Sequence, residues 1–211
     1  MRSYPRIKRN VDDRAARITD DHRAIARQFG QEFFDGDRLC GYGGYRYDGR
    51  WKPVVRDFVA DYGLAPDCAI LDIGCAKGFM VRDFVELLPQ AQVRGIDISE
   101  YAVANADPVA RPCLSVANCR ELPFPDASFD LVISINTAHN LPYDECGQAL
   151  KEMMRVTRKH AFVVLDAYRD DAERERMLKW NLTARTILHV DEWTELFAKV
   201  GYTGDYDWFT P

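Results

Sequence analysis

Asp72-Ile73-Gly74-Cys75-Ala76-Lys77-Gly78 is where residue types and spacing in this chain most plainly describe a chemistry. The segment follows the apolar run Ala69-Ile70-Leu71, so a carboxylate closes a buried strand. Its glycines let the chain turn sharply and let a ligand approach the backbone before a helix begins. Asp97 ends the next apolar run, nineteen residues after Gly78. A carboxylate there can accept a pair of hydrogen bonds from ribose hydroxyls, and the whole reads as the nucleoside-binding half of a Rossmann-like sheet. A dinucleotide suits it poorly, because the glycine fingerprint for a pyrophosphate needs a second glycine where Ala76 stands, and Asp72 would point negative charge at a diphosphate. An acid in this turn suits a cationic amine.

S-adenosylmethionine is a nucleoside with such an amine, a sulfonium and no phosphate. The segment resembles the first motif of the class I S-adenosylmethionine-dependent methyltransferases, an acid followed by x-G-x-G-x-G, with Ala76 in place of the middle glycine. Leu122-Pro123-Phe124-Pro125-Asp126-Ala127-Ser128-Phe129-Asp130-Leu131-Val132 resembles the L-P-F-x-D-x-S-F-D-x-V segment that leads into the fourth strand of small-molecule methyltransferases. The two motifs stand in order at family spacing, and the resemblance covers about residues 53–168. It implies S-adenosylmethionine as cofactor and S-adenosylhomocysteine as product. It places Asp72 and Gly74 at the methionine end, Gly78 at the close of the turn, Asp97 on the ribose and Ile98 against adenine. Asn118-Cys119 stands where the family often has Asp-Ala, the amide oxygen replacing the acid that accepts from the adenine amino group. Cys75, Ala76 and Asn136 complete the expected cofactor contacts.

The acceptor side is expected at the carboxyl edge of the sheet, where ligands bind in open α/β folds. Ser134 to Leu141 follows the fourth strand, and His139 is the histidine placed there. It either acts as a general base on a hydroxyl or amine, its ordinary pKa lying near working pH, or fixes the loop by hydrogen bonds. Asp166 and Tyr168, just after the fifth strand, are the other catalytic candidates. Methyl transfer is an in-line displacement for which alignment supplies much of the rate, and a base is required only when the acceptor has a proton to lose.

Gly36 to Trp51 holds five glycines, three tyrosines and three arginines, too glycine-rich for a helix and too aromatic for a plain linker. We read it as a lid in which Tyr42, Tyr45, Arg46 and Arg50 offer aromatic walls and cations to an anionic or sugar-like acceptor, with Trp180 capping the cleft. The alternatives are a surface loop whose tyrosines pack on the sheet, or a surface that stacks on single-stranded RNA.

Alternating elements must hold these residues in place. Strands are expected at 69–73, 93–98, 113–116, 129–135, 161–165 and 206–209, and helices at 52–62, 79–88, 99–103, 144–156 and 191–200. Gly63 and Pro89 serve as stops, and an exposed acid/base helix follows Arg169. Residues 10–29 carry a weak helical period of a surface helix. The order predicts an α/β doubly wound, mostly parallel sheet preceded by a helical and loop cap, divided as residues 1–56 and 57–211.

The chain of 211 residues suits one α/β domain with an appendage, and 47% apolar residues exclude wholesale disorder. Its net charge of −5 argues against a dedicated nucleic-acid binder, although residues 1–56 carry +5 and the remainder −10. Six cysteines contain no C-x-x-C pair, which suits reduced thiols and no metal site. A polar N-terminus and the absence of long apolar runs set the expectation of a cytoplasmic protein. The reading is a methyltransferase for a small molecule, monomeric or homodimeric. An RNA or protein methyltransferase, or a non-catalytic S-adenosylmethionine-binding partner or sensor, are the alternatives.

Overall fold

A computed structural model describes residues 2–5, 9–43 and 45–211. Its strands are β1 (Ala69–Ile73), β2 (Gln92–Asp97), β3 (Leu114–Val116), β4 (Phe129–Ile135), β5 (Thr157–Tyr168), β6 (Leu188–His189) and β7 (Asp205–Phe209). They form one sheet in the order β3-β2-β1-β4-β5-β6, with β7 also pairing with β5, and every pairing is parallel. The order reverses between β1 and β4, so the carboxyl ends of those strands flank the crevice where an open α/β sheet binds its ligands.

Strand alternation splits the core into two layers. Ile70, Leu131, Ile133 and Val164 face α4 (Lys52–Asp61), α5 (Phe79–Leu87) and α8 (Asp171–Trp180) through Val55, Phe58, Phe84 and Met177. Leu71, Ile73, Val132 and Val163 face α7 (Tyr143–Val156) and α9 (Val190–Val200) through Leu150, Met153, Trp193 and Phe197. The short α6 (Glu100–Ala104), capped by Ser99, follows β2. Gly63 and Gly201 take left-handed φ of 56° and 74° just past α4 and α9, the C-cap conformation that glycine supplies without steric cost. Among the described residues, no helix is long and apolar enough to cross a membrane.

The N-terminal region departs from the expected single helix over 10–29. It forms α1 (Val11–Ala15), α2 (Asp20–Ala26) and α3 (Gln31–Phe34). The break has a local cause. Thr19 accepts from the His22 backbone N–H while the His22 ring takes the Thr19 N–H, a reciprocal cap that starts a new helix. Ile18, Ala26, Phe33 and Phe34 then form a small core with Ala102 and Leu182, setting this region over the carboxyl edge of the sheet. The expected boundary at residue 56 falls inside α4, whose Val54 and Val55 are buried on the sheet. That helix packs on the sheet, Phe58 beside Phe84 and Phe162.

Candidate active site

The chain between β1 and α5 is a tight turn of left-handed residues: Gly74 at φ 79°, Ala76 at 51° and Gly78 at 78°. A Cβ on Gly74 would lie 2.0 Å from Thr137 Oγ1, and one on Gly78 would lie 2.7 Å from the Ala110 Cβ. Both positions therefore need glycine, for conformation and for space. Ala76 holds the same conformation with a side chain, a strained choice at the family's middle glycine. Gly78 packs against β3 and caps α5 instead of facing the cavity.

The Asp97 carboxylate ties this turn to β2. One oxygen accepts from the Ala76 N–H at 2.8 Å, the other from the Ser99 N–H at 2.8 Å. Asp72, one strand across, is buried with no hydrogen-bonding or ion-pairing side chain among the described residues, and burial, reinforced by Asp97, pushes its carboxyl up to about 8. A buried carboxylate of this kind is completed by a cation. That fits the amine of S-adenosylmethionine, with Asp97 one turn away for ribose.

Both acids open into a cavity of about 1040 Å³ along the carboxyl edge, larger than the ~300–1,000 Å³ usual for one small ligand. Its walls also carry Cys75, Ala76, Ile98, Asn118, Cys119 and Asn136 from the expected cofactor set. Ile98 is 54% exposed at the rim. The Asn118 amide oxygen is already engaged, accepting from the Arg120 backbone N–H at 3.0 Å and its Nε at 3.3 Å, so it serves its own loop first. The second motif, Leu122 to Val132, stays outside the cavity and braces the sheet. There Asp130 accepts from the Ala69 N–H and pairs with Arg158 and Lys159, whose charges hold its carboxyl well below the usual range.

Beyond the cofactor acids the cavity reaches His139 and Asp166, both buried. His139 Nδ1 accepts the Asp166 backbone N–H at 3.0 Å, which puts the ring proton on Nε2, 3.5 Å from Asp166 Oδ1. Burial pushes this imidazole down to about 3. In this arrangement His139 donates through Nε2 and spends its free lone pair on the Asp166 backbone N–H, the geometry of the loop-fixing alternative. Burial likewise raises the Asp166 carboxyl to about 7 against the opposing charge of Arg9, placing a carboxylate base near neutrality at the end of β5. Tyr168 lies outside the cavity, against His189 and within 3.5 Å of Glu192.

Tyr4, Lys77 and Asn140 line the cavity and were not among the residues expected there. The Asn136 amide nitrogen donates to the Tyr4 hydroxyl at 2.8 Å, while its Oδ1 and that of Asn140 are buried acceptors without a donor among the described residues. Asn136 stands at φ 54°, a strained placement that holds its side chain in the crevice. Lys77, inside the turn, is buried and bonds both Asp35 oxygens at 2.6 Å; Tyr101 donates to the same carboxylate at 2.7 Å, so the cap is latched to the cofactor turn.

The residues expected to form a lid are placed as follows. Tyr42 and Tyr45 line the cavity, but the Tyr42 hydroxyl accepts the Leu182 N–H at 2.7 Å and its ring stacks on Trp180, while Tyr45 packs on Phe33 and Phe34. Trp180 is a buried wall. Arg46 is exposed and outside the cavity, and Arg50, at its edge, pairs with Asp48. Gly44, within this loop, lies outside the described residues.

Residues 71–165 match the family model described as a methyltransferase domain. Demethylmenaquinone methyltransferase of Symbiobacterium thermophilum is 31% identical over 131 residues, 56% of this chain and 50% of that protein. The 2-methyl-6-phytyl-1,4-hydroquinone methyltransferase of a Synechocystis species is 27% identical over 206 residues, 84% of this chain and 61% of that one. The chain spans about half the length of the curated relatives it matches. Among solved structures, YcgJ of Bacillus subtilis superimposes with a TM-score of 0.56 at 21% identity, covering 69% of this chain and 66% of its own. The cyclase SpnF gives 0.56 at 22% identity, over 71% and 56%. Strand order, acid-glycine turn and matched domain together define a Rossmann-like nucleoside-binding fold. Over residues 71–165 the chain is similar to methyltransferases, in the domain that the family model describes.

Proposed function

We propose that this chain transfers a methyl group from S-adenosylmethionine to a hydroxyl or amine of a small-molecule acceptor, working in the cytoplasm. One observation carries the reading: a single cavity joins the partnerless buried carboxylate of Asp72, and Asp97, to the buried pair Asp166 and His139. Asp72 and the Gly74 turn would hold the amine end of the cofactor, Asp97 the ribose, and the Ile98 and Cys119 walls the base. When bound, S-adenosylmethionine supplies a methyl carbon already activated by its sulfonium.

The chain's own work is then positioning and proton removal. Asp166 accepts the acceptor's proton, its carboxyl being close to half-ionised near pH 7. His139 Nε2–H faces the same carboxylate and positions it, while the cap excludes water over the crevice through the Lys77–Asp35 latch. A small acceptor is favoured over RNA because Arg9, Arg14 and Arg38 of the cap turn into the cavity, leaving the basic excess of this region partly enclosed.

The test is binding followed by turnover. Calorimetry is expected to show S-adenosylhomocysteine binding, and methyl-labelled S-adenosylmethionine is expected to label a component of a metabolite extract. Asp166→Asn should keep the binding and lower labelling by about 10²–10⁴-fold, the usual worth of a general base. No cofactor binding, or full labelling by Asp166→Asn, refutes the reading.

A further inference from the structure

Tyr4 reaches the crevice from the chain ahead of α1, and its position is fixed at several points. The Ser3 N–H donates to Asp57 Oδ2 at 2.9 Å and Arg2 pairs with Asp61 at 2.5 Å, so the backbone before it is fastened to α4. Its ring meets Trp51 edge-on at 6.1 Å and packs on the core layer of α4, α5 and α8. At the end of that ring the hydroxyl accepts from the Asn136 amide nitrogen at 2.8 Å. Its own proton goes to no acceptor among the described residues.

Asn136 decides where that hydroxyl lies. β4 runs between β1 and β5, and Asn136 is the residue just past its end. Its backbone N–H donates to the Val164 oxygen of β5 at 3.0 Å, two residues before Asp166. On the other side its neighbour Thr137 lies against Gly74, in the turn after β1. The Tyr4 hydroxyl therefore stands at the sheet edge between the turn read as holding the cofactor's amine end and the Asp166 carboxylate, and Tyr4, Gly74, Asn136 and Asp166 line one cavity. Burial raises the ionisation of this phenol, against the hydrogen bond from Asn136 and the charge of Arg9. It stays neutral and keeps a proton to donate.

An acceptor atom between these two groups meets three demands at once. Asp166 takes its proton, Tyr4 gives it a hydrogen bond, and one electron pair must remain to attack the methyl carbon. A hydroxyl oxygen has two lone pairs and satisfies all three. An amine nitrogen has one, and a bond from Tyr4 would tie up the pair that has to form the new bond.

We infer that the Tyr4 hydroxyl, fixed by Asn136, donates to the acceptor's reacting atom, which makes that atom a hydroxyl oxygen and not an amine nitrogen. The inference rests on the methyltransferase reading. In the step it serves, the acceptor's O–H bond breaks and its proton passes to Asp166. One lone pair of that oxygen forms the bond to the methyl carbon, and the carbon–sulfur bond breaks with its electron pair left on sulfur. The other lone pair keeps the bond from Tyr4 and so sets the direction of attack. The products are a methyl ether and S-adenosylhomocysteine.

The experiment gives the full chain a metabolite extract and S-adenosylmethionine with an isotope-labelled methyl carbon, and reads the magnetic-resonance shift of the transferred carbon, which separates O-methyl from N-methyl and C-methyl products. The parent is expected to give an O-methyl product. Tyr4→Phe keeps the ring and loses the hydroxyl, and should lower that labelling about three- to tenfold, the usual worth of one neutral hydrogen bond, without lowering any N-methyl labelling. Circular dichroism and calorimetry of S-adenosylhomocysteine should match the parent. An N-methyl or C-methyl product from the parent overturns the inference whether or not the variant folds. Undiminished O-methyl labelling by folded Tyr4→Phe, or an equal fall of O-methyl and N-methyl labelling, overturns it as well and leaves the methyltransferase reading standing. Failure of the parent to bind S-adenosylhomocysteine, or to label any component, overturns that reading instead.

Discussion

Cofactor binding should expel a proton from Asp72. With its carboxyl raised to about 8, Asp72 is about 90% protonated at pH 7 in the free chain. A cationic amine brought within ~4–6 Å lowers a carboxyl by about 1 to 3 pH units, so binding should release about 0.4 to 0.9 of a proton at pH 7 and only about 0.1 at pH 9. Calorimetry of S-adenosylhomocysteine, which keeps the amine, reads this count as the slope of apparent enthalpy against buffer ionisation enthalpy. Asp72→Asn should remove the released proton and weaken binding about 10- to 150-fold, the worth of a hydrogen bond to a charged group. The same substitution should stabilise the free chain. The folded state holds a proton that the unfolded state loses above the ordinary carboxylate pKa, so Asp72 lowers stability by ~1.4 kcal/mol per pH unit as pH rises toward about 8. Fewer than about 0.2 protons released at pH 7 by the parent, or an unchanged count in Asp72→Asn, would refute the assignment of Asp72 as the amine's partner.

Two further outcomes follow from the turn beside it. Ala76→Gly relieves an alanine held at φ 51° and should raise stability by about 0.5–1 kcal/mol in urea denaturation, without loss of cofactor affinity; destabilisation would show that the methyl group packs usefully. Lys77→Met should unlatch Asp35 and Tyr101 from the turn, so that trypsin cuts at Arg46 and Arg50 several-fold faster than in the parent. An unchanged cleavage rate would mean that the small core of Ile18, Phe33 and Phe34 alone holds the cap down.

Particular residues show why part of the site was legible and part was not. The glycine turn could be read because its demands are local: Gly74 and Gly78 need left-handed backbone, and Asp72 and Asp97 each end an apolar run. His139 and Tyr168 could only be placed at an edge. The backbone N–H of Asp166 fixes the tautomer of His139, and Tyr168 turns outward beside Glu192. One signal lay unused in the cap. Arg14 falls on the same helical stripe as Val11 and Ile18, so its spacing already placed a cation on a buried face. The split between α1 and α2 had its sign as well, in Asn10 and Thr19, each followed by two acids within its first helical turn.

The sequence by itself determined the class of fold and the shape of the turn read as the cofactor half of the site, because a strand, a glycine turn, a helix and the next strand's acid are contiguous and act through backbone geometry and charge. The residues read as the acceptor half meet only in the tertiary structure. Tyr4, Arg9, Arg14 and Arg38 come from the cap, Asn136 and His139 from the loop after β4, Asp166 from β5 and Trp180 from α8. No spacing along the chain encodes their meeting. It arises because the cap buries its own small core on the carboxyl edge of the sheet, and in doing so turns three arginines inward over a carboxylate that burial has kept close to neutrality.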